Sequence, residues 1–453
     1  MMNVAAIISL RNLSITVEYG FASTFYYSMA ALCFFIPSAL VCAELATGFP
    51  KAGGLYAWVG EAFGKEVGFF AVWCSWMLSV SWYPTVLTFT AGALAYVFNP
   101  ELINNKLYMV TTMLTVFWAA TLINFRGMKI SGSVSAIGAA LGTLIPGALI
   151  IGLGFFWYVQ GNPIQIEMNF STLIPEFNLS DMVFFAGVIL SFAGMELSCF
   201  HVQETKDPQR DFPRAILYST LIILAISILG SLSIAFVVSP EELSLFAGIL
   251  QAFQFFFGAF DLGWGVPGLA LLAVLGSLAG INTWILGPAK GILTCAKDGF
   301  LPPFLQKVND KQMPVGTLVF QGAAASILTL VFFLMPDVNS AFWIVTALTT
   351  LFAMLMYLLI FAAGIKLRYL HPNTPRPYHI PGKYHLGMWL VAGTGIVMAV
   401  FAITICFVPP IQLNLDNPAL YCTYLLVGLI ILSMPPLLFL KLKKPGWVHL
   451  YAG

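Results

Sequence analysis

The sequence predicts an all-α polytopic membrane protein with about twelve transmembrane helices. Hydrophobic residues make up 59% of the 453 residues and charged residues only 9%, whereas about 25% of the residues in a typical soluble protein are charged. The mean hydropathy of +0.90 agrees, and the apolar residues form runs long enough to cross a hydrocarbon core of about 30 Å. The net charge of +1 argues against nucleic-acid partners, which require a concentrated basic face.

Twelve spans are predicted from these apolar runs. They lie at residues 2–18, 22–47, 67–97, 107–125, 133–159, 182–203, 212–238, 266–297, 316–335, 341–368, 386–408 and 419–441. The apolar stretch at 243–260 is interpreted as an interfacial helix, because a thirteenth span would reverse the orientation of everything that follows.

The basic residues are distributed asymmetrically between the two sides of the membrane. If the N-terminus is cytoplasmic, 17 of the 20 Lys and Arg residues fall on the inner side. Arg11 and Lys290 lie within spans, and only Lys106 lies outside. This pattern follows the positive-inside rule. It predicts a multi-pass protein of the cell membrane with both termini cytoplasmic.

Two spans are interrupted by polar residues near their centres. Span one contains Ser9, Arg11 and Asn12, and span six contains Gly194-Met-Glu196. A charged side chain at the bilayer centre costs about 2.5–3.5 kcal/mol on insertion scales, so such residues are functional candidates. The interruptions lie five spans apart, which is typical of two inverted five-helix repeats with a substrate site at their broken helices.

The repeat predicts three regions in the chain. Residues 1–159 form the first five-helix repeat, and residues 160–368 form the second, inverted repeat. Residues 369–453 then hold two additional helices and a short cytoplasmic tail.

Several short motifs follow one another along the chain. They are Phe35-Ile-Pro, Ala43-Glu-Leu-Ala-Thr, Pro50-Lys-Ala-Gly-Gly-Leu-Tyr-Ala-Trp, Gly194-Met-Glu196, His201-Val-Gln-Glu204, Asp207-Pro-Gln-Arg-Asp-Phe-Pro213 and Trp284-Ile-Leu-Gly-Pro. In this order and spacing the chain resembles the amino acid–polyamine–organocation (APC) superfamily of secondary transporters, and most closely the glutamate/γ-aminobutyrate antiporters. The resemblance runs from about Ile7 to Pro436. It implies a five-plus-five inverted repeat with broken helices 1 and 6, and exchange of amino-acid-like substrates by alternating access. It also implies that the membrane is a bacterial inner membrane.

The chain departs from the antiporter pattern in two places. The antiporters carry a Glu four residues before the Trp of span eight, where this chain has Gly280. They also carry a long polar C-terminal tail that closes the cytoplasmic mouth, whereas this sequence stops at Gly453. The resemblance therefore implies neither glutamate specificity nor gating by a tail.

The substrate site is expected where the two interruptions meet. The predicted substrate-binding residues are Ser9, Arg11, Asn12, Phe192, Ala193, Gly194, Glu196, Asn282 and Trp284. Arg11 is expected to bind a substrate carboxylate or to pair with Glu196 between substrates; the alternative is a permanent structural pair. Backbone N–H groups around Asn12–Ser14 suit the substrate carboxylate, and the carbonyls of Leu190–Ala193 suit its ammonium group.

Gating residues are expected at the inner ends of spans two and six. Glu44, His201 and Glu204 are candidates for a protonatable gate, and the alternative is that they are solvated interfacial residues. The segment Pro50–Gly64 is predicted to be a re-entrant cytoplasmic element near this gate rather than a simple turn.

The predicted function is secondary active transport, in which an amino acid is exchanged for a related amino acid or for its amine product. One alternative is proton-coupled uptake of an amino acid or amine, and another is a non-transporting receptor of the same fold. No catalytic motif such as H-E-x-x-H, G-x-S-x-G or a phosphate-binding loop is present, so no enzyme activity, cofactor or metal is expected. The expected partners are a small-molecule substrate and the lipid bilayer, and the expected state is a monomer or homodimer.

Overall fold

The structure is a computed structural model that describes residues 9–50, 54–127, 137–138, 140–175, 182–194, 207–239, 242–410, 418–444 and 447. These ranges contain helices and loops and no strand. The α-helices are α1 (Leu10–Ile15), α2 (Ser23–Ala30), α3 (Ile36–Gly48), α4 (Leu55–Phe63), α5 (Lys65–Phe98), α6 (Lys106–Asn124), α7 (Ile145–Val159), α8 (Phe170–Leu173), α9 (Phe185–Ser191), α10 (Pro208–Ala235), α11 (Gly248–Ala259), α12 (Val266–Lys297), α13 (Val315–Thr329), α14 (Val338–Leu370), α15 (Leu386–Cys406) and α16 (Pro418–Leu442).

Most of the long helices are apolar enough to cross a membrane. In the described ranges nine helical segments meet that condition: Val17–Gly48, Lys106–Asn124, Ala140–Val159, Arg214–Ala235, Gly263–Lys297, Val315–Phe333, Val338–Leu370, Lys383–Cys406 and Ala419–Leu442. The 34-residue α5 is also long enough, at about 51 Å, but Ser, Thr, Trp and Tyr residues make it less apolar. The prediction of an all-α polytopic membrane protein is confirmed.

The two interrupted spans appear as short helices that begin or end near the predicted interruptions. The backbone of Ser9 is extended, with φ −134° and ψ 126°, and α1 begins at the next residue. In span six, α9 ends at Ser191, and Gly194 has a φ of +122°, a conformation that favours glycine. Glu196 lies outside the described residues.

The α11 segment corresponds to the apolar stretch that was predicted to be interfacial. Its twelve residues make a helix of about 18 Å, which is too short to cross the hydrocarbon core. One face, including Ile249, Phe253 and Phe256, is buried. The backbone N–H of Ile249 donates to Ser14 Oγ at 3.2 Å, so α11 packs against the end of α1.

The central helix of the described structure is α5, which packs most extensively against α12 and α14. Several packing relations recur when each span of a contacting pair is exchanged for the span five places earlier or later in the chain. The contact of α5 with α14 corresponds to that of α12 with the π-helical turn Ala140–Leu144, which precedes α7. The contacts of α7 with α10, of α1 with α10 and of α5 with α13 correspond to those of α14 with α3, of α9 with α2 and of α12 with α6.

The close approach of α12 to span five depends on glycine. A Cβ atom added to Gly276 would lie 2.4 Å from the carbonyl oxygen of Gly142, and one added to Gly142 would lie 2.1 Å from the nitrogen of Gly276. No larger residue fits at either position without moving one helix, so this contact fixes the separation of the two spans.

Candidate functional site

A cavity lies where the two interrupted spans meet α5 and α12. Its lining residues come from span one (Ser9, Arg11, Asn12), span six (Leu190, Ser191, Ala193), α5 (Leu78, Trp82) and α12 (Trp284). Of the predicted substrate-binding residues, the cavity brings together Ser9, Arg11, Asn12, Ala193 and Trp284. The two short helices therefore place the side chain of Arg11 and the C-terminal end of α9 at the same cavity.

Arg11 is the charged group of this cavity, and its side chain is 2% exposed. Its Nη1 donates to the hydroxyl of Thr85, while Nη2 and Nε donate to Asn12 Oδ1 at 3.0 and 3.3 Å. The guanidinium carbon lies 5.7 Å from the ring centre of Trp82 and 6.0 Å from that of Phe342. Neutral oxygens and aromatic faces thus stabilise the cation, and no carboxylate of the described ranges pairs with it.

The start of α1 lies slightly earlier than the sequence indicated. The N–H of Asn12 donates to the carbonyl of Ser9 at 3.0 Å, so this group is already used within the first turn. Because the helix begins at Leu10, the backbone N–H groups that open it belong to Leu10 and Arg11. They replace the predicted Asn12–Ser14 groups as the free N–H groups at the N-terminus of this helix.

A second cavity adjoins the first and shares Ser9, Trp82 and Trp284 with it. Its other lining residues are small, hydroxylated or apolar: Leu10, Val86, Phe89, Gly142, Thr143, Ala273, Gly276, Ser277, Gly280 and Thr283. We call this space the side chamber; the described part of its wall carries no charged side chain. The rings of Trp82 and Trp284, with centres 5.7 Å apart, form the wall common to both cavities.

Gly280 lies in the wall of the side chamber, at the position where the sequence departs from the antiporter pattern. A Cβ atom there would meet only the ring of Trp82, at 3.9 Å. The chamber is therefore open at this point, and a larger residue at position 280 would extend into it.

Three predicted substrate-binding residues lie away from the lining of the first cavity. The ring of Phe192 packs against those of Phe35 and Tyr27, with centres 5.4 and 6.2 Å apart. The N–H of Gly194 donates to the hydroxyl of Tyr357 at 2.9 Å. Asn282 is buried on another face of α12.

Asn282 accepts a hydrogen bond from the side-chain amide of Asn124 on α6. This contact joins α12 to α6. The predicted substrate-binding carboxylate, Glu196, and the gating candidates His201 and Glu204 lie outside the described residues.

Sequence reasoning proposed Trp76 as a wall residue on span three but did not find Trp82 and Thr85 on the same helix, α5; the Trp76 indole instead donates to Gln321 Oε1 at 3.0 Å. Trp82 lies in the wall of both cavities, and Thr85 accepts from Arg11 while its own hydroxyl donates to the carbonyl of Trp82 at 2.7 Å. A polar or aromatic residue in an apolar span is usually a packing residue. The only signal was the unusual run Trp82-Tyr-Pro84 in the middle of the helix.

Glu44, the remaining gating candidate, is buried rather than solvated. Its carboxylate is bound in a bidentate manner by Arg368, from Nε at 2.8 Å and from Nη2 at 2.6 Å, and both side chains are 1–2% exposed. The backbone N–H of Ile380 donates to the same carboxylate at 2.8 Å, and Arg376 Nε lies 3.5 Å away. This network joins α3, α14 and the loop that follows α14.

The described part of the Pro50–Gly64 segment contains α4, whose side chains contact residues just after the C-terminal ends of α12 and α14. Tyr56 donates to Asp298 at 2.7 Å, and Glu61 lies 3.2 Å from His371 Nε2. Burial of the phenol and its hydrogen bond to Asp298 raise the pKa of Tyr56 above its ordinary value. Lys65, at the start of α5, also reaches Asp298 at 3.4 Å.

No group of three metal-binding His, Cys, Asp or Glu side chains occurs among the described residues. The cysteines in these ranges are free thiols.

Comparison with known proteins finds a permease family and relatives that are named as transporters. The family described as amino acid permease matches residues 1–431. An uncharacterized transporter of Legionella pneumophila is 44% identical over 97% of this chain and 95% of its own length. A glutamate/γ-aminobutyrate antiporter of Lactococcus lactis is 32% identical over 92% of this chain and 84% of its own length. A probable agmatine/putrescine antiporter of L. lactis is 25% identical over 80% and 77%.

Proposed function

This chain belongs to the amino acid permease family, and we propose that it exchanges an amino acid for a related amino acid or its amine product by alternating access. Two relatives with antiporter names support exchange over uptake. The membrane-spanning helices and the central cavity suit a transporter. In this proposal the side chains that line the cavity select among amino acid substrates.

The buried guanidinium of Arg11 carries this proposal. A cation that is 2% exposed and surrounded by neutral oxygens and rings is a strong site for a carboxylate, because a guanidinium binds carboxylates through two parallel hydrogen bonds. Ser191, at the end of α9, and Ala193, just beyond it, line the same cavity. Carbonyl groups at a helix C-terminus carry partial negative charge, which suits the ammonium group of the same amino acid.

We also propose that the chain is an inverted repeat, with residues 1–159 and 160–368 as the two halves and 369–453 as an addition. The paired packing relations between spans five positions apart support this division. Spans one, two, six and seven would then rock against the remaining helices. Both termini are proposed to be cytoplasmic, which an accessibility assay on cysteines introduced at positions 3 and 444 would test.

The decisive experiment is a substrate panel measured on purified protein in liposomes. Vesicles are loaded with one unlabelled amino acid or amine, and uptake of labelled compounds is followed at pH 5 and pH 7. We expect saturable uptake that requires an internal substrate. Absence of flux for every amino acid and amine at both pH values would refute the proposal.

The same vesicles separate the alternatives. Uptake into empty vesicles that follows an imposed pH gradient would indicate a proton-coupled permease. Saturable binding in detergent without flux in vesicles would indicate a receptor.

The role of Arg11 is tested by Arg11→Gln, which removes the charge but keeps an amide. Loss of a charged hydrogen bond of about 1.5–3 kcal/mol predicts a rise of about 10- to 150-fold in the half-saturating substrate concentration. Arg126→Gln is the control, because Arg126 is exposed at the end of α6. If the two variants had equal substrate affinities, Arg11 would not bind the substrate.

A further inference from the structure

Helix α12 has a gap in its backbone hydrogen bonding at Trp284. In an α-helix the carbonyl of residue i accepts from the N–H of residue i+4. The residue four positions after Trp284 is Pro288, inside the helix, and proline has no N–H. The Trp284 carbonyl therefore has no donor from its own helix, and an unsatisfied carbonyl is unfavourable in a membrane interior.

The missing donor comes from α5. The hydroxyl of Tyr83 donates to the Trp284 carbonyl at 3.0 Å, and the Tyr83 side chain is fully buried. Gln321 Nε2 on α13 donates to the same hydroxyl at 3.0 Å, while Gln321 Oε1 accepts from Trp76 Nε1 at 3.0 Å. Because Gln321 occupies the acceptor side of the hydroxyl, the phenolic proton is left for Trp284.

The same arrangement occurs a second time in the described structure. In α16, Pro436 removes the helix donor of the Leu432 carbonyl, and Trp73 Nε1 on α5 donates to that carbonyl at 2.8 Å. Two proline gaps in two different helices are thus closed by aromatic side chains of α5. The gap at Trp284 is the one that lies at the proposed substrate site.

We propose that Tyr83 is a positioning residue of the transport site. Its hydroxyl fixes the α12 backbone at Trp284 and so holds the Trp284 ring beside that of Trp82, in the wall between the two cavities. Tyr83 is absent from the lining of both cavities, so it acts on the substrate only through Trp284. The effect on transport rests on the proposed function; the hydrogen bond itself does not.

The test compares two Tyr→Phe variants that lose equivalent hydrogen bonds. Tyr421 is also buried; its hydroxyl donates to the carbonyl of Cys406 at 2.8 Å and accepts from Trp343 Nε1 at 3.1 Å. It belongs to α16, which lines neither cavity. Substrate affinity and maximal exchange rate are measured in vesicles, and the melting temperature is measured in detergent.

Tyr83→Phe is expected to raise the half-saturating concentration about tenfold while the maximal rate stays within about twofold. A tenfold change corresponds to about 1.4 kcal/mol. Tyr421→Phe is expected to lower the melting temperature comparably and to leave affinity unchanged. Unchanged affinity for Tyr83→Phe, or equal losses for both variants, would overturn the proposal.

Pro288→Ala supplies the missing N–H and completes a double-mutant cycle. When Tyr83→Phe is combined with Pro288→Ala, the loss of the hydroxyl is expected to cost little affinity and little melting temperature, because the Trp284 carbonyl then has a donor within its own helix. Additive effects of the two substitutions would overturn the proposal. The melting temperatures test the bond even if no substrate is transported, so failure of the proposed function remains distinguishable.

Discussion

The pair between Glu44 and Arg368 gives the sharpest prediction for stability. Glu44→Gln removes the negative charge but keeps the size of the side chain and one acceptor oxygen. The guanidinium groups of Arg368 and Arg376 then remain within 2.6–3.5 Å of a neutral amide. The perturbation therefore leaves the buried guanidinium of Arg368 and the part-buried guanidinium of Arg376 without their counterion.

The expected loss follows from the geometry of the pair. Opposite charges about 4 Å apart attract by about 4 kcal/mol at an effective dielectric constant of 20, and removal of one partner of a buried pair typically costs about 3–5 kcal/mol. Both side chains are 1–2% exposed, so water cannot replace the lost partner. We expect Glu44→Gln to reduce the free energy of unfolding by about 3–5 kcal/mol.

The assay is unfolding by graded addition of SDS to protein in a mild detergent. Glu61→Gln is the control on the same side of the protein, because its partner His371 is 39% exposed and Glu61 is 31% exposed. A pair of this kind contributes about 0–1 kcal/mol. If Glu44→Gln were no more destabilising than Glu61→Gln, the ion pairs of Glu44 with Arg368 and Arg376 would not stabilise the protein as their geometry indicates.

A second variant distinguishes an ion pair from simple packing. In Glu44→Gln/Arg368→Gln both charges are removed, and Arg376 keeps the carbonyls of Leu367 and His371, at 3.0 and 3.1 Å. We expect the double variant to be more stable than Glu44→Gln alone. A loss equal to the sum of the two single losses would contradict a direct interaction.

Three further substitutions test other parts of the structure. Gly280→Leu is expected to fill the side chamber, so that exchange of amino acids with large side chains is lost while exchange of the smallest ones persists in the vesicle panel. Gly276→Ala places a Cβ atom 2.4 Å from the Gly142 carbonyl and is expected to destabilise the protein by about 1–3 kcal/mol; Gly268→Ala, with nothing within 4 Å, is the control. Partial desolvation, together with the charge of the nearby Arg368, lowers the pKa of the His379 imidazole, so below about pH 6.5 this residue binds more protons in the unfolded chain than in the folded chain. The melting temperature is therefore expected to fall below that pH, and to fall less in His379→Gln.

The spans were predictable because hydropathy and length are local properties of the sequence. The predicted span at 266–297 coincides with α12, and the interruption at Ser9 coincides with an extended residue. These features depend on the solvent around a segment rather than on its neighbours in space.

The contacts of the site were less predictable because they join distant parts of the chain. Glu44 and Arg368 are 324 residues apart, and no pattern along the chain connects them. Asn282 was expected to face the substrate because it lies near Trp284, but two positions along a helix turn a side chain by about 200°. Asn282 therefore meets Asn124 on α6.

The proline gaps in α12 and α16 bear on how the protein is inserted into its membrane. An isolated α12 or α16 would carry the Trp284 or the Leu432 carbonyl into lipid without a donor, at a cost of several kcal/mol. Their donors, Tyr83 and Trp73, belong to a helix synthesised earlier. We therefore expect both helices to leave the insertion machinery as partners of α5 already in the bilayer, so that the order of synthesis supplies each donor before its acceptor emerges.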